Sequence, residues 1–144
     1  MILRSEEDTA AAGAALSRVA REGDVITLSG PLGIGKTAFA RGFIGALGHE
    51  GEVPSPSFAI VQPYEDLVPP VWHVDLYRIE VPSEIDELGL DATAEAVLLV
   101  EWPDRAGPAR WPDALALSFE LAQDGSRILT AQAPPSWKGR WPLP

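Results

Sequence analysis

A chain of 144 residues with 46% hydrophobic content has apolar surface for one core and too little length for two ordinary domains, and its lack of cysteine excludes disulfides and thiolate metal sites. A formal charge of −10 opposes direct docking on nucleic acid, because phosphate contacts need clustered Lys and Arg. No window reaches membrane-spanning length, and residues 1 to 22 mix acids with alanine unlike a basic secretory leader, so a soluble cytoplasmic protein with no membrane partner is expected.

Ser5, followed by Glu6, Glu7 and Asp8, opens a helix expected to run to residue 22. The hydroxyl caps free N–H groups, the acids complement the helix dipole, and Ala12, Ala15, Leu16 and Val19 share one face. Gly23 ends this helix, and the β-branched run at 24 to 29 reads as a strand. A second helix over 37 to 47 buries Phe39, Phe43, Ala46 and Leu47 before Gly48 stops it. Pro54 and Pro56 make 49 to 56 a surface loop leading into a strand at 57 to 62. Another strand, 71 to 78, alternates Trp72, Val74 and Leu76 with His73, Asp75 and Tyr77. The polar trio points one way, either towards a site or as the wet face of an antiparallel strand.

Residues 83 to 88 start like a short helix and stop at Gly89, with another helical turn expected at 90 to 96. Val97 to Val100 is a continuous apolar run, the mark of a central parallel strand covered on both faces. Leu115, Leu117, Phe119 and Leu121 then alternate with smaller or polar residues, and Asp124-Gly125 turns the chain into 127 to 133, giving a hairpin on the sheet edge. The tail from Pro134 is expected to be extended and mobile, with Trp137 and Trp141 free to dock on the domain or on a partner.

Gly30-Pro31-Leu32-Gly33-Ile34-Gly35-Lys36-Thr37 fits G-x-x-x-x-G-K-[ST] between the first strand and the second helix, the context in which that pattern forms a phosphate-binding loop. Glycines let successive backbone N–H groups close around phosphates, and the new helix adds its positive end. Lys36 is expected to reach β- and γ-phosphate oxygens, while the Thr37 hydroxyl suits Mg²⁺ as a hard oxygen ligand. Glu101 ends the apolar strand where open α/β sheets place ligands, so it leads the candidates for the metal site against the reading of a strand-ending glutamate in solvent. His49 and His73 lack metal-ligand spacing; His73 reads as a hydrogen-bonding member of the polar face and His49 as loop surface. Near the inferred site only Arg78 and Arg105 are expected among the arginines.

Five segments in series resemble the tRNA threonylcarbamoyladenosine biosynthesis protein TsaE family of small P-loop ATPases: 28 to 37, Val-Pro-Ser-Pro-Ser-Phe at 53 to 58, His-Val-Asp-Leu-Tyr-Arg at 73 to 78, Glu-Leu-Gly-Leu at 87 to 90, and Val-Glu-Trp-Pro-Asp-Arg at 100 to 105. The resemblance implies a single-domain α/β, P-loop NTPase-like three-layer fold over 1–133, its mixed sheet parallel at the centre and antiparallel at the edges, followed by the 134–144 tail. It implies ATP and Mg²⁺ as cofactors, TsaD-like and TsaB-like proteins as partners, and tRNA reached only through those partners. The catalytic set carried over is Lys36, Asp75 and Glu101. Nucleotide contacts fall on Gly30, Leu32, Gly33, Ile34, Gly35, Lys36, Thr37, Ala38, Ser57, Trp102 and Arg105, and the metal ligands on Thr37 and Glu101. Pro31, Ser57 and Ala38 depart from the family's usual aspartate, threonine and second threonine. A small-molecule kinase and a non-catalytic, nucleotide-gated binding module are the alternatives to an ATPase.

Overall fold

The apolar run at 97–100 lies in the parallel centre of a sheet, with every residue of its strand buried. A computed structural model of the chain describes residues 1–56, 60–90, 94–107 and 110–142. Among these the strands are β1 (Ile2–Leu3), β2 (Val25–Ser29), β3 (Val61–Tyr64), β4 (Val71–Asp75), β5 (Val97–Glu101), β6 (Leu115–Leu121) and β7 (Arg127–Gln132), and the α-helices are α1 (Glu6–Ser17) and α2 (Lys36–Ala46). The sheet order is β1-β7-β6-β2-β5-β4-β3. β6, β2, β5 and β4 run parallel, whereas β3 joins β4, β7 joins β6 and β1 joins β7 antiparallel. This is the single-domain mixed sheet expected, with a parallel centre and antiparallel edges.

Alternation along β5 sorts the two faces: Val97 and Leu99 enter one core, Leu98 and Val100 the other. The first core lies beneath α1 and α2 and holds Leu16, Ile26, Leu28, Phe39, Phe43 and Leu117. The two helices cross on glycines. A Cβ at Gly42 would stand 2.0 Å from the Ala10 carbonyl oxygen, and one at Gly13 2.0 Å from that of Phe39, so only glycine permits this backbone approach. The second core is covered by 3-10 helices at Pro82–Leu88 and Pro103–Ala106, so the helix expected at 83 to 88 takes the tighter form and ends on the left-handed Gly89.

Several boundaries differ from expectation for local reasons. Ser5 caps α1 by accepting the Asp8 amide at 3.1 Å, while the Asp8 carboxylate accepts the Arg4 amide at 2.9 Å. The helix stops at Ser17, short of residue 22, and the Ser17 hydroxyl donates back to the Ala14 carbonyl. β3 begins at Val61 and runs to Tyr64, and the expected start of that strand at 57 lies outside the described residues. β4 ends at Asp75 because the carboxylate accepts the Tyr77 amide at 2.9 Å and turns the chain. β1, too short to read from periodicity, pairs Ile2 with Ile128 and Leu3 with Arg127.

The tail is tied down, contrary to the mobile segment expected. Trp137 is 1% exposed in the α1–α2 core. Arg140 stacks 3.9 Å from the Trp137 ring centroid and grips Asp24 with two bonds of 2.6 and 3.2 Å. Its guanidinium also donates to the Val19 carbonyl at 3.0 Å, closing the segment that leaves α1.

Candidate functional site

The loop from Gly30 to Thr37 joins β2 to α2 over the C-terminal edge of the parallel strands. Gly30 has φ +149°, and a Cβ there would meet the Phe119 carbonyl oxygen at 2.8 Å, so this position takes glycine on both conformational and steric grounds. At Gly33, φ +79°, an added Cβ would meet nothing within 4 Å, which leaves this part of the loop open to a ligand. Lys36 opens α2 with only 4% of its surface exposed. Its ammonium donates to the Gly30 carbonyl and, at 3.1 Å, to that of Pro31, and lies 3.8 Å from the Trp102 ring centroid. Burial pushes the Lys36 ammonium below its ordinary pKa, against the opposing pull of Glu101, Asp75 and Asp104.

Glu101 stands at the meeting point. It ends β5 between Leu28 of β2 and Asp75 of β4, and is 3% exposed. Its carboxylate accepts the Thr37 hydroxyl at 3.1 Å to Oε1 and 3.3 Å to Oε2, and Oε2 also accepts His73 Nε2 at 2.6 Å. Asp75, 5% exposed, stands beside it; burial raises its carboxyl pKa, the Tyr77 amide opposes this, and the Glu101 charge adds to the rise. The reading of His73 and Asp75 as a wet strand face therefore falls. Both side chains turn towards the helix-covered face, beneath the start of α2, and the partly exposed Tyr77 alone of the trio meets solvent.

Trp102 follows Glu101 with a left-handed backbone, φ 60° and ψ 51°, a conformation that costs a non-glycine residue on the order of 1 kcal/mol or more. Its amide donates to the Leu28 carbonyl at 3.3 Å and its ring lies 4.9 Å from that of Tyr77, so strand pairing and ring packing hold it there. Arg105, exposed, has its guanidinium 5.5 Å from the Tyr77 ring on the rim.

A cleft of about 380 Å³ runs along the loop. Leu32, Gly33, Gly35, Lys36, Thr37, Ala38, Asp75, Glu101 and Trp102 all line it. Gly30 lies at the root of the loop. Ile34 instead sends its side chain into the core at 6% exposure, leaving only its backbone to the loop. Ser57 lies outside the described residues.

Other lining residues escaped the sequence reading: Glu6 and Thr9 of α1, Arg41 of α2, Ser55, and Arg127 of β7. Arg41 and Arg127 correct the expectation that only Arg78 and Arg105 come near. Arg41 sits four residues after Thr37, so helical spacing alone carried its signal. Its Nε donates to the Val53 carbonyl at 2.8 Å, fastening the 49–56 loop to α2. Arg127 had no such signal, since only the pairing of β7 with β6 and β1 brings it beside Gly35, where an added Cβ would lie 3.8 Å from its Cδ and Nε. The Arg127 Nε is buried without a hydrogen-bond partner.

The donor set suits a hard divalent cation: a hydroxyl oxygen and a buried carboxylate within 3.1 Å of each other, with a second buried carboxylate alongside. Among the described residues no cluster of three or more His, Cys, Asp or Glu forms a complete protein cage. No described helix is long and apolar enough to cross a membrane.

Comparison with known proteins agrees with this arrangement of motifs. A crystal structure of Bacillus subtilis YdiB superposes with a TM-score of 0.78 at 32% identity, covering 97% of this chain and 88% of that one. The curated tRNA threonylcarbamoyladenosine biosynthesis protein TsaE of Bacillus subtilis is 40% identical over 129 residues, 88% of this chain and 80% of the relative. Its Treponema pallidum namesake is 30% identical over 131 residues, 90% and 96% of the two chains. The family model for threonylcarbamoyl adenosine biosynthesis protein TsaE matches residues 3–129, from β1 through α1, the glycine loop and the Glu101 strand into β7, and on that span the chain belongs to the TsaE family.

Proposed function

We propose that the protein binds ATP with Mg²⁺ in this cleft and hydrolyses it to support the TsaD–TsaB transferase in installing threonylcarbamoyladenosine on tRNA. The observation that carries the reading is the meeting of Thr37 and Glu101 at 3.1 Å at the start of α2, with Asp75 alongside. Loop amides and the N-terminal end of α2 bind the phosphates, and Lys36 supplies a compact positive charge. Arg127 reaches the nucleotide from the opposite wall, which would satisfy its buried Nε. Thr37 and Glu101 would hold a magnesium ion, which would supply charge neutralisation at the transferring phosphoryl group. Asp75 takes the proton of the attacking water at the carboxylate oxygen not engaged by the Tyr77 amide, and its raised pKa makes it a better base than an exposed aspartate. Water oxygen bonds to the γ-phosphorus as the bond to the β-bridging oxygen breaks, leaving ADP and phosphate.

Partner docking is proposed at the cleft mouth, where Leu32 is 73% and Tyr77 41% exposed beside Arg105. A net charge of −10 leaves tRNA to be held by the partners, and a part in tRNA modification puts the protein's work in the cytoplasm. The test is phosphate release by the purified protein alone and with the transferase pair, beside filter binding of tRNA. Slow intrinsic turnover, stimulation by the pair, loss of turnover in Glu101→Gln and negligible tRNA binding by the isolated protein are expected. No phosphate release in either setting would reduce the protein to a nucleotide-gated binding module, and tight tRNA binding alone would overturn the charge argument.

A further inference from the structure

We propose that His73 is a positioning residue that holds the Glu101 carboxylate and thereby sets the affinity of the cleft for Mg²⁺; this rests on the nucleotide site proposed above. His73 lies two residues before Asp75 on β4, opposite Leu99 on β5, so its side chain leaves the sheet on the same face as Glu101. It is fully buried, and its Nε2 lies 2.6 Å from Glu101 Oε2. A carboxylate oxygen accepts, so Nε2 donates. Nδ1 is also buried and has no hydrogen-bond partner, leaving Glu101 as the group to which the ring's polarity is addressed.

An apolar side chain would fill this layer, beside Val71 on the same strand face and Leu99 opposite, without burying an unpaired nitrogen. The imidazole is accounted for by what it does to the carboxylate. Bound at Oε2 from the sheet, Glu101 turns Oε1 towards Thr37, whose hydroxyl donates to it at 3.1 Å. A hydroxyl that gives its proton to Glu101 keeps its lone pairs for a cation, so the His73–Glu101–Thr37 chain orients both candidate ligands at once. Without His73, the carboxylate is free to rotate about its last torsion and the pair loses its fixed geometry.

The test is calorimetric titration with a non-hydrolysable ATP analogue, with Mg²⁺ and in EDTA, of the wild type and of His73→Leu, His73→Gln and His73→Asn. His73→Leu is expected to lower the affinity for Mg²⁺ in the nucleotide complex by about 10-fold or more, the usual effect of removing a hydrogen-bond partner of a metal ligand, while binding in EDTA is unchanged. His73→Gln places an amide N–H near the position of Nε2 and should recover most of the loss; His73→Asn is too short and should not. Equal Mg²⁺ dependence in folded His73→Leu overturns the inference, as does an equal loss in EDTA, which would make His73 a purely structural residue. Should His73→Leu fail to fold, the Gln and Asn variants decide: matching Mg²⁺ affinities overturn it. A wild type whose nucleotide binding ignores Mg²⁺ overturns the proposed function as well, an outcome distinct from all of these.

Discussion

The two walls of the cleft are built in different ways. On one, Thr37, Asp75 and Glu101 sit at the ends of parallel strands and the first turn of a helix, held by neighbours in the ladder and by one another. On the other, Thr9 and Arg127 arrive from a helix packed over α2 and from the β6–β7 hairpin, which β1 covers at the sheet edge, with the backbone of Gly35 between them. The first wall is positioned by short-range geometry that leaves little freedom. The second depends on a helix crossing and a strand register, so its position is set by packing away from Asp75 and Glu101. In the function proposed above, chemistry at the metal falls to the rigid wall, and grip on the nucleotide is shared with the adjustable one.

The largest effect expected on this division is that of Lys36→Ala. Removing the cation from the loop should cut phosphate release by ~10²–10³-fold and weaken ATP binding, with the far-ultraviolet circular dichroism unchanged. Unchanged ATP affinity in the folded variant would show that the loop does not hold phosphates.

Gly42→Ala attacks the adjustable wall through its support. The new methyl group collides with the Ala10 carbonyl, so α1 must move or strain, and urea unfolding should register a loss of about 1–3 kcal/mol. Because α1 carries Thr9, nucleotide affinity should fall as well. Stability equal to the wild type would mean that the crossing tolerates more space than its backbone distance implies.

Arg127→Ala should lower the affinity for ATP and ADP alike by about 10-fold, the scale of one charge-assisted hydrogen bond, while leaving the response to Mg²⁺ intact. A change in Mg²⁺ response instead would join the two walls into one functional unit.

The smallest effect on stability concerns Asp75, whose part in turnover is separate and large. Its folded pKa lies above its unfolded one, chiefly through burial, so its contribution to stability is complete below the unfolded value and is lost as pH rises through the raised folded value. Asp75→Asn removes that titration while keeping an oxygen for the Tyr77 amide. The variant should melt higher than the wild type at neutral pH, with the gain shrinking as the pH falls through the raised folded value, and should release phosphate more slowly. A constant difference in Tm across pH would separate the residue's stability effect from its charge.

Much of the rigid wall was legible because its residues belong to local patterns. The G-x-x-x-x-G-K-[ST] spacing located the loop, the apolar run ending in Glu101 located the central strand, and alternation put His73 and Asp75 on one face. Alternation did not reveal that this face is buried, since a period of two says which residues share a side and nothing about what covers it. The 3-10 form of Pro82–Leu88 was equally hidden, because three carboxyl-bearing and two aliphatic positions in a short segment suit either helix. The amphipathic signal of α1 overran its end for a related reason: local periodicity continues past Ser17, while the chain is drawn off by Arg140 from the far end of the sequence.

By itself, then, the sequence determined the class of the protein: one α/β domain, a glycine loop between strand and helix, a carboxylate at the end of the central strand, and the family to which these belong. Each rests on residues near one another in the chain, where steric limits on the backbone and the two side-chain periods act directly. Only the tertiary structure decided that Arg127 faces Gly35, that α1 and α2 touch through Gly13 and Gly42, that Trp137 fills the core, and that His73 bonds Glu101. Those contacts join residues tens of positions apart, and their partners are chosen by sheet register and close packing, which no local pattern encodes.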